Sequence, residues 1–479
     1  MSSILTIDQG TSSTKAIVVV DGEVAAIADE PVRPAYLEGG GVEQDPQELL
    51  DSVLGAGRRA VEQAGKTVDA VALANQGETV LAWDESTGTP LSPAIVWQDR
   101  RSESICAALA EHADWVAQRT GLELDPYFSA PKMAWVRANL TRGGVVTTTD
   151  TWLVHHLCGA FVTDASTASR SLLVDIDTVE WDPELCALFG LETEKLPRIV
   201  GCDEIVGTTK AFGPEVPVTG LIVDQQAALA AQSCLQPGMA KCTFGTGAFL
   251  LANIGQSAVR SAAGLTTSVA WRTEADTSYC VDGQIYTAAS AVRWARDLGL
   301  VGDASELDTV AAEDAGRVLF VPAFAGLAAP WWDAKAGASI TGMTLATGRE
   351  HIVRALLDGI AAQVTSLARL VEADLGSRIE RLRVDGGLTQ SSVLMQMQAD
   401  LLQVPVDVYP SANATPLGAA AFARLAIGDA STLDDAVGEW SAERTYEPAW
   451  RPDRVAEYLE RWSAAERAAV VKGGSKSEL

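Results

Sequence analysis

The sequence predicts an α/β protein of two similar halves with a ligand cleft between them. Three observations carry this. The chain opens on an apolar strand, Ile4 to Ile7, that meets one acid, Asp8, and then a turn of small and hydroxyl residues, Gly10-Thr11-Ser12-Ser13. A second strand-turn-strand unit of the same kind begins at Ala240, with Gly245-Thr246-Gly247 as its turn. Around these units, helical and extended apolar patterns alternate.

The first turn leads into Ala16 to Val20, and Asp21-Gly22 reverses the chain into Glu23 to Ile27. Asp-Gly between apolar runs is a strong hairpin signal. Asp45-Pro46-Gln47-Glu48 reads as a helix start, with Asp at the N-cap, Pro at the first helical position and Glu at the third. Leu49, Leu50, Val53, Leu54 and Val61 follow at helical spacing, and Gly65 closes the helix. Val218 to Val223 is an apolar strand interrupted by Gly220, and it delivers Asp224 at its end. Gln236-Pro237-Gly238 is a boundary signal. It divides the chain into residues 1–235 and 236–430, with a helical tail over 431–479. Ile352, Leu356, Ile360, Val364, Leu367 and Val371 mark one long amphipathic helix. Leu382-Arg383-Val384 is a strand entering the tight turn Asp385-Gly386-Gly387. Lys472 to Leu479 is polar and expected to fray.

Bulk composition narrows the function. With 63 acidic against 36 basic residues, the net charge of −27 argues against nucleic-acid or anionic-membrane partners. Any bound nucleotide must then be held by local dipoles, a few cations and a metal. Nothing approaches a membrane span. The opening strand leaves no room for a signal peptide, so a cytoplasmic location is expected. Seven scattered Cys without a CxxC read as reduced packing thiols, and four His make a His-rich metal site implausible.

The first turn offers backbone N–H groups, hydroxyls and Lys15, which suit a phosphate, and Asp8 suits a hydrated Mg²⁺. Strand-acid-Gly-Thr-strand is not a Walker P-loop. It resembles the phosphate loop of the actin-like ATPases. Further stretches, in order, resemble the FGGY carbohydrate kinases and, within them, the glycerol-kinase branch. They are Val42-Glu43-Gln44-Asp45-Pro46, Asn75-Gln76-Gly77-Glu78-Thr79, Trp97-Gln98-Asp99-Arg100, Asp125-Pro126-Tyr127-Phe128, Asp150-Thr151-Trp152, Asp224-Gln225-Gln226, Phe244-Gly245-Thr246-Gly247 and Asp385-Gly386-Gly387.

The resemblance implies two actin-like (ribonuclease H-like) ATPase domains and ATP-dependent phosphorylation of a terminal hydroxyl of a small polyol, glycerol first. ATP and Mg²⁺ are the implied cofactors, and a homodimer or larger homo-oligomer is expected. It implies Asp224 as catalytic base and Asp8 with Asp224 as the metal side. Thr11, Ser12, Ser13 and Lys15 would face phosphates, Gly245 and Thr246 the γ-phosphate, and Gly386 and Gly387 the adenosine. Glu78, Trp97, Tyr127, Asp224, Gln225 and Phe249 would line the polyol pocket. The chemistry fits: a hydroxyl acceptor needs a carboxylate for its proton, and a polyol needs polar partners with aromatic faces over its C–H edges.

Four places depart from the glycerol-kinase pattern. Gly77 stands where that branch carries Arg, which removes a donor worth roughly 1.5–3 kcal/mol and is expected to open volume for another C4–C5 polyol or ketose. Thr208 to Pro214 lacks the glycine-rich loop that binds fructose 1,6-bisphosphate in some bacterial relatives. Arg293 stands where Gln is usual near the adenine, and Lys15 replaces an Arg. Blander readings exist for single residues. Asp224 could cap the following helix, and Trp97 and Tyr127 could be core aromatics. His155-His156 reads as structural, and Trp331-Trp332 as an interdomain wall. The rival from another class is an actin-like ATPase without a kinase acceptor.

Overall fold

The computed structural model describes residues 2–470; the Lys472 to Leu479 tail lies outside them. Two mixed sheets organise the chain. In the first, Ser3–Gln9 pairs antiparallel with Ser13–Val20 and parallel with Ala70–Asn75. Ser13–Val20 in turn pairs with Glu23–Pro31, and Ala70–Asn75 with Val216–Val223. In the second sheet, Ala240–Phe244 pairs antiparallel with Ala248–Gly255 and parallel with Leu382–Asp385. Ala248–Gly255 pairs with Thr277–Ile285, and Leu382–Asp385 with Val406–Val408. The two sheets thus share one plan: a hairpin-linked meander on one side of the opening strand and parallel strands on the other. The second sheet adds Thr266–Arg272 outside its meander.

Local chemistry accounts for these elements. Asp21 and Gly22 have φ of 51° and 86°, both positive as a type I′ hairpin turn requires. The Asp45 side chain accepts the Gln47 N–H at 2.9 Å to start the helix Pro46–Ala64, and Gly65 ends it. That helix buries Leu49, Leu50, Val53, Ala56 and Ala60 against the first sheet. The amphipathic pattern around Ile352 is one helix, Arg349–Leu375, lodged in the core under the second sheet. Among the described residues no helix is long and apolar enough to cross a membrane.

One helix departs from a simple two-half picture. Ala414–Ala426 belongs to the later sequence, yet it packs on Ala70–Asn75 and Val216–Val223 of the first sheet and on the helix Asp224–Ala231. Small residues permit this approach. A Cβ on Gly418 would lie 1.9 Å from the Ala227 carbonyl, and one on Gly220 would lie 2.7 Å from the Ala419 carbonyl. Gly220 also has φ of 61° at a bulge in the strand, which turns the strand end that carries Asp224.

Candidate active site

The two glycine turns hold their backbones differently. In the first, Gly10 N–H bonds the Ser13 carbonyl at 3.0 Å. The Thr11 hydroxyl donates to Gln76 Oε1 at 3.0 Å and accepts from Trp97 Nε1 at 2.9 Å. Its one proton is committed within the fold, so toward a phosphate Thr11 offers its backbone N–H. Gln76 Nε2 continues to Gln44 Oε1, and Gln44 Nε2 returns to the Thr11 carbonyl, both at 2.8 Å. Ser12 is exposed and Ser13 half-buried. Lys15 is Asp8's cross-strand partner.

In the second turn two carbonyls are taken by the chain that follows Ile285. The Gly245 carbonyl accepts from Ala289 N–H at 3.0 Å, and the Thr246 carbonyl accepts from Ala288 and Ser290 N–H at 2.9 and 3.2 Å. These bonds seat the helix Ala289–Asp297 against the turn. Gly247 is required by crowding, since a Cβ there would stand 2.3 Å from the Ile285 carbonyl. Gly386, with φ of 97°, crosses so close to Phe244 that a Cβ would meet its carbonyl at 2.4 Å. Gly387 faces open space, and Arg293 is exposed on the helix anchored to the second turn.

The residues expected to meet the acceptor converge from both halves. Trp97 lies edge-on to Tyr127 at 5.5 Å and to Phe249 at 6.4 Å between ring centroids. Phe249 comes from the second sheet and the other two from the first half. Glu78 is buried, with φ of 59°. Burial raises its pKa against the pull of the Arg170 guanidinium, whose Nε bonds it. Asp224 opens the helix Asp224–Ala231 without capping it; Val223 is the N-cap residue. Its Oδ1 accepts the neighbouring Gln225 N–H at 2.6 Å.

At Gly77 the approach is tight on one side: a Cβ placed there would sit 3.0 Å from the Val223 side chain.

Asp8 and Asp224 form an electrostatic pair. Burial first, then the Asp224 charge, pushes Asp8 up to about 7. Burial first, then the Glu78 charge, pushes Asp224 up to about 6, with Lys241 and Arg170 opposing. The Asp224 charge raises Asp8, and two such buried carboxylates could hold a hard cation between them. No cluster of three or more acidic, His or Cys ligands exists among the described residues. Mg²⁺ is held by one or two carboxylates together with phosphates and water, so Asp8 and Asp224 are the residues that could hold it.

Four residues entered the site without being singled out from the sequence. Arg170 bridges Glu78 and Asp282, with Nη1 at 2.9 Å from the latter, and so joins the acceptor wall to the second sheet. Lys132 is fully buried and donates to the carbonyls of Pro126, Tyr127 and Phe128, fixing the loop that carries Tyr127. Lys241 reaches Gln225, and Gln76 ties the first turn together. A lysine inside the apolar strand around Cys242 was a visible anomaly. Arg170, between two serines, showed no pattern.

His155 and His156 pack on Trp83 and Trp152 at 4.8 Å, as structural residues do. Trp332 lines a small cavity with Tyr127, Phe128 and Arg170, and so stands between the halves. The Trp331 ring lines a separate cavity with Gln363 and Glu466. All seven Cys are unpaired, and all but Cys158 are buried.

Comparison with known proteins gives the family. Residues 3–231 match the N-terminal domain of the FGGY family of carbohydrate kinases, and residues 240–427 match its C-terminal domain. A glycerol kinase of Aromatoleum aromaticum is 44% identical, over 98% of this chain and 99% of its own. Glycerol kinase 2 of Thermotoga maritima is 40% identical, over 97% and 98%. The crystal structure of Plasmodium falciparum glycerol kinase with ADP superposes with a TM-score of 0.91 at 32% identity, covering 98% of this chain and 99% of that one. The chain belongs to the FGGY family of carbohydrate kinases.

Proposed function

We propose that this carbohydrate kinase transfers the γ-phosphoryl group of ATP to a terminal hydroxyl of glycerol, giving glycerol 3-phosphate. The observation that carries the reading is the convergence of Asp224, Glu78 and Gln225 with the rings of Trp97, Tyr127 and Phe249 in a site built by both halves. Relatives at 40–44% identity over nearly the whole chain are named glycerol kinases.

Asp224 takes the acceptor hydroxyl's proton as the oxygen attacks phosphorus. Glu78 and Gln225 orient the polyol, and the three rings cover its C–H edges. Mg²⁺ beside Asp8 and Asp224 would neutralise charge on the phosphates. The amides of Gly245 and Thr246 face the γ-phosphoryl oxygens, where fixed donors stabilise developing charge. Thr11, Ser12, Ser13 and Lys15 flank the phosphates from the other sheet, and Gly386 and Gly387 seat the adenosine. Residues 1–235 form the acceptor-side domain, 236–430 the nucleotide-side domain and 431 onward the terminal helical segment. Excluding water from such a site keeps it from accepting the phosphoryl group.

A second reading is specific to Gly77. Without a side-chain donor there, glycerol loses one contact, and a C4–C5 polyol or ketose becomes a competitor. ADP-coupled rates across glycerol, dihydroxyacetone, erythritol, ribitol, xylitol, ribulose and xylulose decide between them. Glycerol is expected to show the highest kcat/KM, and a larger acceptor ranking first would overturn the choice. ADP release that needs no acceptor would overturn the kinase reading itself.

A further inference from the structure

Lys241 is fully buried on Ala240–Phe244, the opening strand of the second sheet. Its Nζ lies 2.6 Å from Gln225 Oε1 and 2.7 Å from Thr243 Oγ1. Thr243 passes its own proton to Asp385 Oδ1 at 2.6 Å. Thr243 and Asp385 are register partners in neighbouring parallel strands, and Asp385 immediately precedes the Gly386-Gly387 turn. A chain of side chains therefore runs from the nucleotide-side turn, across the boundary between the halves, to a residue of the acceptor pocket.

The direction of each bond is fixed by chemistry. An ammonium has donors only, whereas a Gln amide has one accepting and one donating end. With Lys241 on Oε1, the amide cannot reverse without placing its NH₂ against an ammonium. A buried cation facing a donor would lose a hydrogen bond and gain a repulsion, a penalty of several kcal/mol in a desolvated site.

We propose that Lys241 is a positioning residue for the acceptor: it turns the Gln225 amide so that Nε2 faces the pocket and donates to an acceptor oxygen. This rests on Gln225 lying against the acceptor, as in the proposed function. It also deepens that reading. The pocket then carries complementary arms, with the Glu78 carboxylate accepting a hydroxyl proton and Gln225 donating to a hydroxyl or carbonyl oxygen. The donor arm is held from the nucleotide-side sheet.

A double-mutant cycle on Lys241→Met and Gln225→Ala tests it. Each single variant is expected to raise the acceptor KM about tenfold, the size of one hydrogen bond of about 1.4 kcal/mol, with the ATP KM changed less than about twofold. The double variant is expected to match Gln225→Ala alone, because Lys241 acts through that amide. Thr243→Val keeps the side-chain shape and is expected to give a smaller rise of the same kind. It carries the test with Gln225→Ala if Lys241→Met does not fold. Additive acceptor-KM effects, or an ATP KM that rises in step, would overturn the proposal. Wild-type turnover on the same acceptor is the control: its absence sinks the acceptor assignment, whereas its presence with additivity sinks Lys241 alone.

Discussion

The two glycine turns sit at equivalent places in equivalent sheets, yet they are built in opposite ways. Gly10 to Ser13 is surrounded by committed side chains: Thr11 is bonded to Gln76 and Trp97, Gln44 holds the Thr11 carbonyl, and Asp8 and Lys15 flank it. Gly245 to Gly247 is held mostly by backbone, with the Ser290 hydroxyl donating to the Thr246 carbonyl at 3.0 Å. Its carbonyls are consumed by the start of the helix Ala289–Asp297, which leaves N–H groups as its chemistry. A duplicated hairpin has thus been specialised. One copy carries charge and is tied by Thr11 to Trp97, a residue of the proposed acceptor pocket. The other is a backbone cradle whose precision depends on close packing.

The largest effect expected lies between the turns, at the base they share. Asp224→Asn removes the proposed proton acceptor and is expected to lower kcat about 10²–10⁴-fold, with the fold intact by circular dichroism. Steady-state kinetics with ATP and the preferred acceptor check it. A loss of less than about tenfold would remove Asp224 from the proton-accepting role.

The turns themselves are distinguished by alanine. Gly247→Ala places a methyl 2.3 Å from the Ile285 carbonyl, whereas Gly10→Ala places one 3.1 Å from the Ser13 carbonyl. The first must displace backbone and the second needs only a small local shift. Gly247→Ala is expected to raise the ATP KM more than tenfold and to lower Tm by several degrees, and Gly10→Ala to do about a third of this or less. Equal effects would show that packing does not separate the two copies.

Protonation separates them next, because only the first turn is entered by a carboxylate. Asp8 and Asp224 are held at about 7 and about 6, so kcat/KM should fall as pH drops from 8 to 5.5. Saturating Mg²⁺ should move the fall to lower pH by favouring the ionised pair. Stability has the opposite sign. A carboxyl whose pKa is raised in the folded state binds more protons there than in the unfolded chain, so it costs stability as pH rises from about 4 to about 7. Asp8→Asn should therefore melt above wild type at pH 8 in the absence of Mg²⁺. The gap should close toward pH 4. A gap independent of pH would assign it to packing.

How much of this was legible follows from the range of each interaction. The Asp45 cap, the Asp21-Gly22 hairpin and both glycine turns are encoded within a few residues, and the structure forms them where the sequence puts them. Asp224 was legible because an apolar strand ends there. Arg170 was not, because its partner Glu78 lies 92 residues away and nothing in Ser169-Arg170-Ser171 records the pairing. Gly418-Ala419-Ala420-Ala421 advertises a close approach but not its partner, which proved to be the first sheet. The contact of Gly77 with Val223 was hidden for the same reason, since nothing in Asn75-Gln76-Gly77 records that neighbour.

The smallest effect tests whether the shell of the first turn matters to the acceptor. Thr11→Val keeps volume but removes the bonds to Gln76 and Trp97. It leaves the buried Gln76 and the half-buried Trp97 short of one bond each, at about 0.5–1.5 kcal/mol apiece. Because the indole of Trp97 faces Tyr127 and Phe249, its loosening should appear as a three- to tenfold rise in acceptor KM. The exposed Ser12 hydroxyl has no such link, and Ser12→Ala should stay within about twofold for both substrates. If Thr11→Val instead raised only the ATP KM, the hydroxyl would belong to the phosphate after all. The first turn would then be a cradle like the second, and the contrast between the two copies would fail at its most specific point.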